Sequence, residues 1–141
     1  MAGTDSKVAL VASVPMFARC GRKELQQLTQ LVDEIEVPAG RVLMRQGEHG
    51  EEMFIVVKGR FSIERDGRTI AERGPGSALG EMSLLSGGPR TATITALEPS
   101  TVLVAAHREF NSLMDSYPAI RLQVLEGLAQ KVRALDHDGV H

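Results

Sequence analysis

The spacing of apolar residues changes twice along this chain. From Arg22 to Glu34, Leu25, Leu28, Leu31 and Val32 recur at three- and four-residue intervals, which predicts an amphipathic helix. Ahead of it, residues 1–7 read as a flexible tail, Val8 to Val14 as a short helix ending before Pro15, and Pro15 to Cys20 as a turn. From Arg41 to Ala106 the pattern becomes short apolar runs punctuated by glycine: VLMRQ, MFIVVKG, RFSIERDG, RTIAERG, RTATITAL and TVLVAA. These read as strands, and Asp66-Gly67 marks a hairpin turn. Such spacing argues for an antiparallel barrel or jelly roll. After Ala106 the helical period returns, with Phe110, Leu113 and Met114 on the inner face of a helix over His107 to Ser116. Pro118 suits the first turn of a second helix. That helix carries two apolar stripes, one of Ile120, Val124, Leu128, Val132 and Leu135, the other of Leu122, Leu125 and Ala129. A helix apolar on two sides packs against two things. Residues 137–141 read as a frayed tail, leaving one domain over 8–136.

Composition narrows the classes. With 141 residues, 43% of them hydrophobic, the chain can bury one core. A net charge of −2 argues against a nucleic-acid surface, which needs clustered Lys and Arg. Cys20 is the single cysteine, so no internal disulfide forms, which favours the cytoplasm. No apolar run is long enough for a membrane span and no signal peptide is evident.

Candidate chemistry concentrates at Gly80-Glu81-Met82-Ser83-Leu84-Leu85-Ser86-Gly87-Gly88-Pro89-Arg90-Thr91-Ala92-Thr93. GEMSLL reads as a short helical turn whose first backbone N–H groups lack intrahelical partners and form an anion seat. Gly80 has no Cβ, so a ligand can approach the backbone. In the following strand, Arg90 shares the parity of Ala92, Ile94 and Ala96, the apolar face, while Thr91, Thr93 and Thr95 share the other. An arginine directed inward cannot shed its charge and needs an anion. Glu81 or a ligand phosphate would supply it.

This stretch resembles the phosphate-binding cassette of the cyclic nucleotide-binding domain family. The family pattern is Gly-Glu-(Leu/Met)-(Ala/Ser)-Leu, a short loop, then (Pro)-Arg-(Ser/Thr/Ala)-Ala, and every position is met. The resemblance runs from about Val11 to Leu135, through VPMF at 14–17 and VPAGRVLMRQGEHGEEMFIVVKGRFSI at 37–63. It is similar in flavour to the domains of bacterial cyclic-nucleotide-regulated potassium channels and catabolite-activator-type regulators. The resemblance implies a cyclic nucleotide held by Leu79, Gly80, Glu81, Met82, Ser83, Pro89, Arg90, Thr91 and Ala92. Arg90 and the backbone N–H groups near Met82, Ser83 and Ala92 would take the phosphate, and Glu81 the ribose 2′-hydroxyl. Threonine at position 91 is associated in the family with guanine acceptance, which raises cGMP beside cAMP.

Competing motifs fail on spacing. Gly74-Pro75-Gly76-Ser77-Ala78-Leu79-Gly80 lacks the crossover helix of a dinucleotide fold and the Gly-Lys-Ser/Thr of a P-loop. His49, His107, His137 and His141 have no metal-ligand spacing and read as surface or loop histidines. Met44, Met53, Met82 and Met114 read as core filler, and Cys20 as a small, partly buried residue. No nucleophile–base set appears, so neither catalytic residues, nor a metal, nor a cofactor is expected.

The expectation is a mainly β fold with flanking α: N-terminal helices, an antiparallel eight-stranded β-roll that is jelly-roll-like, and two C-terminal helices. Its function would be regulatory binding of cAMP, alternatively cGMP. The C-terminal helix, about 118–135, would close as a lid, with Leu128, Val132, Arg133 and Leu135 as candidate contacts to the base. The effector is unknown, and a homodimer through the C-terminal helix is conceivable. The competing reading is an interaction or dimerisation module of the same fold that does not respond to a nucleotide.

Overall fold

The computed structural model describes residues 4–14, 17–80 and 88–137. They divide into two compact units: residues 1–30 with 112–141, and residues 31–111.

The second unit holds eight antiparallel strands: β1 (Val32–Val37), β2 (Val42–Met44), β3 (Glu52–Lys58), β4 (Phe61–Arg65), β5 (Arg68–Arg73), β6 (Ala78–Leu79), β7 (Thr93–Ala96) and β8 (Ser100–Ala106). They form two four-stranded sheets in the orders β1-β8-β3-β6 and β2-β7-β4-β5. The sheets share one core. Val37, Phe54, Val56, Leu79 and Val102 come from the first; Met44, Phe61, Ile94 and Ala96 come from the second. Phe61 and Val102 are fully buried. Apolar side chains from both sheets thus fill the eight-stranded roll that was expected. The β4–β5 hairpin turns at Asp66 and Gly67, whose φ angles of 54° and 80° give the twist a two-residue hairpin requires.

Four helices are described. α1 (Thr4–Ala12) and α2 (Arg22–Thr29) precede the roll; α3 (His107–Ser116) and α4 (Pro118–His137) follow it. Phe110, Leu113 and Met114 are buried on α3, as their period indicates. On α4, Ile120 and Val124 are buried, whereas Leu122 and Leu125 stay 60% and 55% exposed, so the second apolar stripe is uncovered. Met44, Met53 and Met114 are core residues.

Several boundaries differ from the sequence pattern. α1 begins at Thr4, so residues 4–7 are helical rather than tail, and it ends at Ala12 rather than Val14. α2 stops at Thr29, not Glu34. Leu31 and Val32 continue the helical spacing, but Val32 to Val37 is a strand paired with β8, with Val32 opposite Ala105 and Val37 opposite Ser100. Its burial pattern, buried only at the two ends, lacks the alternation of a half-buried strand. β6 has two residues, too few to show a period.

Cys20 is buried, more completely than its sequence context suggested. Burial, then the nearby Glu24 carboxylate, pushes its thiol up from 9.0 to about 11. A raised pKa means that the fold favours the neutral thiol. This stabilising contribution is full below pH 9, where the unfolded thiol is also protonated, and is lost as pH rises through about 11. Iodoacetamide should therefore alkylate the native protein at pH 9 far more slowly than the urea-unfolded chain. Equal rates would show that the thiol is neither buried nor shifted.

Candidate functional site

The site is built around the segment 88–92 at the entry to β7. Arg90 N–H donates to the Glu48 carbonyl and Gly47 N–H donates to the Arg90 carbonyl, each at 2.8 Å. Pro89 pairs with His49 in an isolated bridge. The regular strand begins only at Thr93, three residues later than the pattern indicated. The partner strand is irregular as well: the β2–β7 register slips between Val42 and Met44, and Gly47 has φ +87°. Alternation nevertheless holds through the segment. Arg90, Ala92, Ile94 and Ala96 are buried, while Thr91 is exposed and Thr93 and Thr95 are half-buried.

Arg90 is only 7% exposed. Its Nη1 donates to the Glu52 carbonyl at 2.8 Å, across 38 residues of sequence. Two glycines make room for the guanidinium. A Cβ built on Gly50 would fall 1.8 Å from Arg90 Nε, and one on Gly80 would fall 2.6 Å from Nη1. Gly80 also has φ +74°, which side-chain-bearing residues rarely adopt. Burial lowers the guanidinium pKa, and the Glu52 carboxylate acts against that shift. The group stays charged, because arginine titrates far above neutrality. A buried, permanently charged guanidinium beside two glycines has the chemistry to receive an anion.

A cleft of about 660 Å³ opens beside Arg90, lined also by Met44, Arg45, His49, Gly50, Glu52 and His107. His107 is half-buried rather than a surface residue, with Nε2 2.8 Å from Asn111 Nδ2. Among the described residues no group of three His, Cys, Asp or Glu side chains converges as a metal site. No helix among them is long and apolar enough to cross a membrane.

The structure brings together Gly80 and Arg90, which lie ten residues apart in the sequence. Leu79 is buried in β6, opposite Phe54 of β3. Ala92 is buried, whereas Pro89 and Thr91 are exposed. Glu81, Met82 and Ser83 lie outside the described residues. So do the side chains of the lid candidates Leu128, Val132, Arg133 and Leu135. Sequence reasoning missed Gly50, which looked like turn punctuation, and the Glu52 carbonyl, since a backbone acceptor leaves no residue-type signal.

Comparisons with known proteins bear on the family and the fold. A family profile described as the cyclic nucleotide-binding domain matches residues 34–117. A cyclic nucleotide-gated potassium channel of Mesorhizobium japonicum is 40% identical over 111 residues, which are 79% of this chain and 31% of the channel. The chain thus spans less than a third of that relative's length. Among solved structures, the N-terminal domain of a transcriptional regulator from Streptomyces coelicolor A3(2) superposes with a TM-score of 0.81 at 28% identity, covering 92% of this chain and 93% of that one. The Thermus thermophilus catabolite activator protein gives 0.73 at 28% identity, with 88% and 61% covered.

Gly50→Ala should drive the guanidinium off the Glu52 carbonyl and cost about 1–3 kcal/mol of stability in urea unfolding, the scale of a buried hydrogen bond to a charged group. A variant as stable as the parent would contradict the close approach of Gly50 to Arg90.

Proposed function

The chain belongs to the cyclic nucleotide-binding domain family, and we propose that it is a regulatory sensor that binds cAMP, alternatively cGMP, with Arg90 as the seat of the cyclic phosphate. The observation that carries this reading is the buried Arg90 guanidinium framed by Gly50 and Gly80. A cyclic phosphodiester carries one negative charge and two exocyclic oxygens, a match for a planar cation with several N–H donors. The same side chain has no titratable function near neutrality, so it suits holding an anion and not moving a proton. We assign it binding without turnover.

Leu79, Gly80, Glu81, Met82, Ser83, Pro89, Thr91 and Ala92 complete the proposed site. Glu81 accepts from the ribose 2′-hydroxyl, and the N–H groups near Met82, Ser83 and Ala92 share the phosphate charge. Thr91 is exposed, and on this reading its hydroxyl is available to a guanine. In the proposed mechanism the ligand orders the part of the phosphate-binding cassette ahead of Arg90 and shifts α4 to a closed position, with Leu128, Val132, Arg133 or Leu135 meeting the base. The output passes to an effector domain or protein, in the cytoplasm.

Calorimetry with cAMP, cGMP and their 2′-deoxy analogues tests this reading. Arg90→Ala should lose roughly 2–4 kcal/mol of binding free energy, the cost of removing one partner from a buried charged pair. The 2′-deoxy analogues should bind more weakly than their parents. Parent-like affinity of Arg90→Ala, or no binding of either nucleotide by the parent, would refute the assignment.

Exposed Leu122 and Leu125 on α4 favour a second reading, a module that pairs with another copy through this helix. On that reading sedimentation shows a concentration-dependent dimer that Leu122→Glu abolishes, with no response to either nucleotide. A monomer at all concentrations excludes it.

A further inference from the structure

We propose that Arg65, at the end of β4, is a positioning residue for the phosphate: it fixes the peptide between Thr91 and Ala92 so that the Ala92 N–H faces the ligand. This rests on the reading of Arg90 as the phosphate seat and adds a residue from a different strand to it. Arg65 Nε donates to the Thr91 carbonyl at 3.1 Å, a contact that joins residues 26 apart in sequence. The Thr91 carbonyl and the Ala92 N–H belong to one peptide unit. The unit is planar, and no cis bond occurs among the described residues, so the two groups point in opposite directions. Holding the oxygen toward Arg65 therefore aims the N–H away from it. Ala92 itself is buried, on the same side of the segment as Arg90, whereas Arg65 and Thr91 are exposed. On the proposed reading of the site, that N–H shares the phosphate charge.

Arg65 is itself held in place. Gln46 grips the turn that follows it, with its Nε2 donating to Asp66 Oδ1 and its Oε1 accepting from Asp66 N–H, both at 2.9 Å. Asp66 is the one described non-glycine residue with positive φ, so this turn has a backbone worth clamping. Gln46 N–H in turn donates to Thr93 Oγ1 at 2.9 Å. Three contacts, 46 to 66, 65 to 91 and 46 to 93, therefore close a ring around the segment that carries Arg90. The ring fixes the peptide before any ligand arrives, which removes an ordering cost from binding.

The test compares parent, Arg65→Ala and Arg65→Lys by calorimetry with cAMP, 2′-deoxy-cAMP and the two phosphorothioate diastereomers of cAMP. Each diastereomer replaces a different exocyclic oxygen by sulfur, so their affinity ratio reports how the phosphate is held. In Arg65→Ala we expect cAMP affinity to fall roughly three- to tenfold, the scale of one hydrogen bond. The diastereomer ratio should move toward one, while the ratio of cAMP to 2′-deoxy-cAMP stays at the parent value. Arg65→Lys, which keeps a long donor, should recover part of both losses, and it carries the test if thermal melting shows that Arg65→Ala does not fold. An unchanged diastereomer ratio, with or without a general loss of affinity, overturns the proposal. Failure of the parent to bind any of the four compounds refutes the underlying phosphate assignment instead, so the two failures are distinguishable.

Discussion

An arginine under a β-roll constrains everything around it. Arg90 cannot be neutralised by giving up its proton, and its burial weakens the hydration that a cation enjoys in water. The surrounding chain must therefore supply acceptors and space. The Glu52 carbonyl supplies the first, and the missing side chains of Gly50 and Gly80 supply the second. The late start of β7 and the bridge between His49 and Pro89 lie along the segment that carries this residue, and the β2–β7 register slips a few residues further on, opposite Ile94 and Thr95. A regular strand would present side chains where the guanidinium needs none.

The rest of the roll is conventional packing that holds this site still. Phe61, Phe54, Val56, Val102 and Ile94 fill the space between two sheets, and most of the stabilisation comes from their removal from water. The site therefore sits on strands whose positions are fixed by the core, with only the loops left to carry recognition. A rigid frame matters for binding, since affinity gained by prearrangement is not lost to ordering.

Much of this was legible in the residues. The 3.6-residue period of Phe110, Leu113 and Met114 placed α3 correctly, and Asp66-Gly67 placed the hairpin. The inward direction of Arg90 followed from parity alone, because Ala92, Ile94 and Ala96 share its face. What failed had a physical reason. Val32 to Val37 is an edge strand whose middle four residues are exposed, so it carries no alternation, and Leu31 and Val32 happen to extend the spacing of the preceding helix. The acceptor for Arg90 and the ring through Gln46, Asp66 and Arg65 were not legible either. They depend on contacts between segments 20 to 47 residues apart, partly through backbone atoms common to every residue.

The family match concerns the chain as a whole, whereas the physical claim concerns one side chain. It is tested most directly by following the arginine side-chain N–H resonances of ¹⁵N-labelled protein during titration with cAMP, with the Arg90 signals assigned by comparison with Arg90→Ala. The account predicts that the Arg90 N–H signals shift to saturation together with the ³¹P signal of the nucleotide, and that the bound state shows coupling between that nitrogen and phosphorus. Saturable binding that leaves the Arg90 signals where they were in the free protein would contradict it.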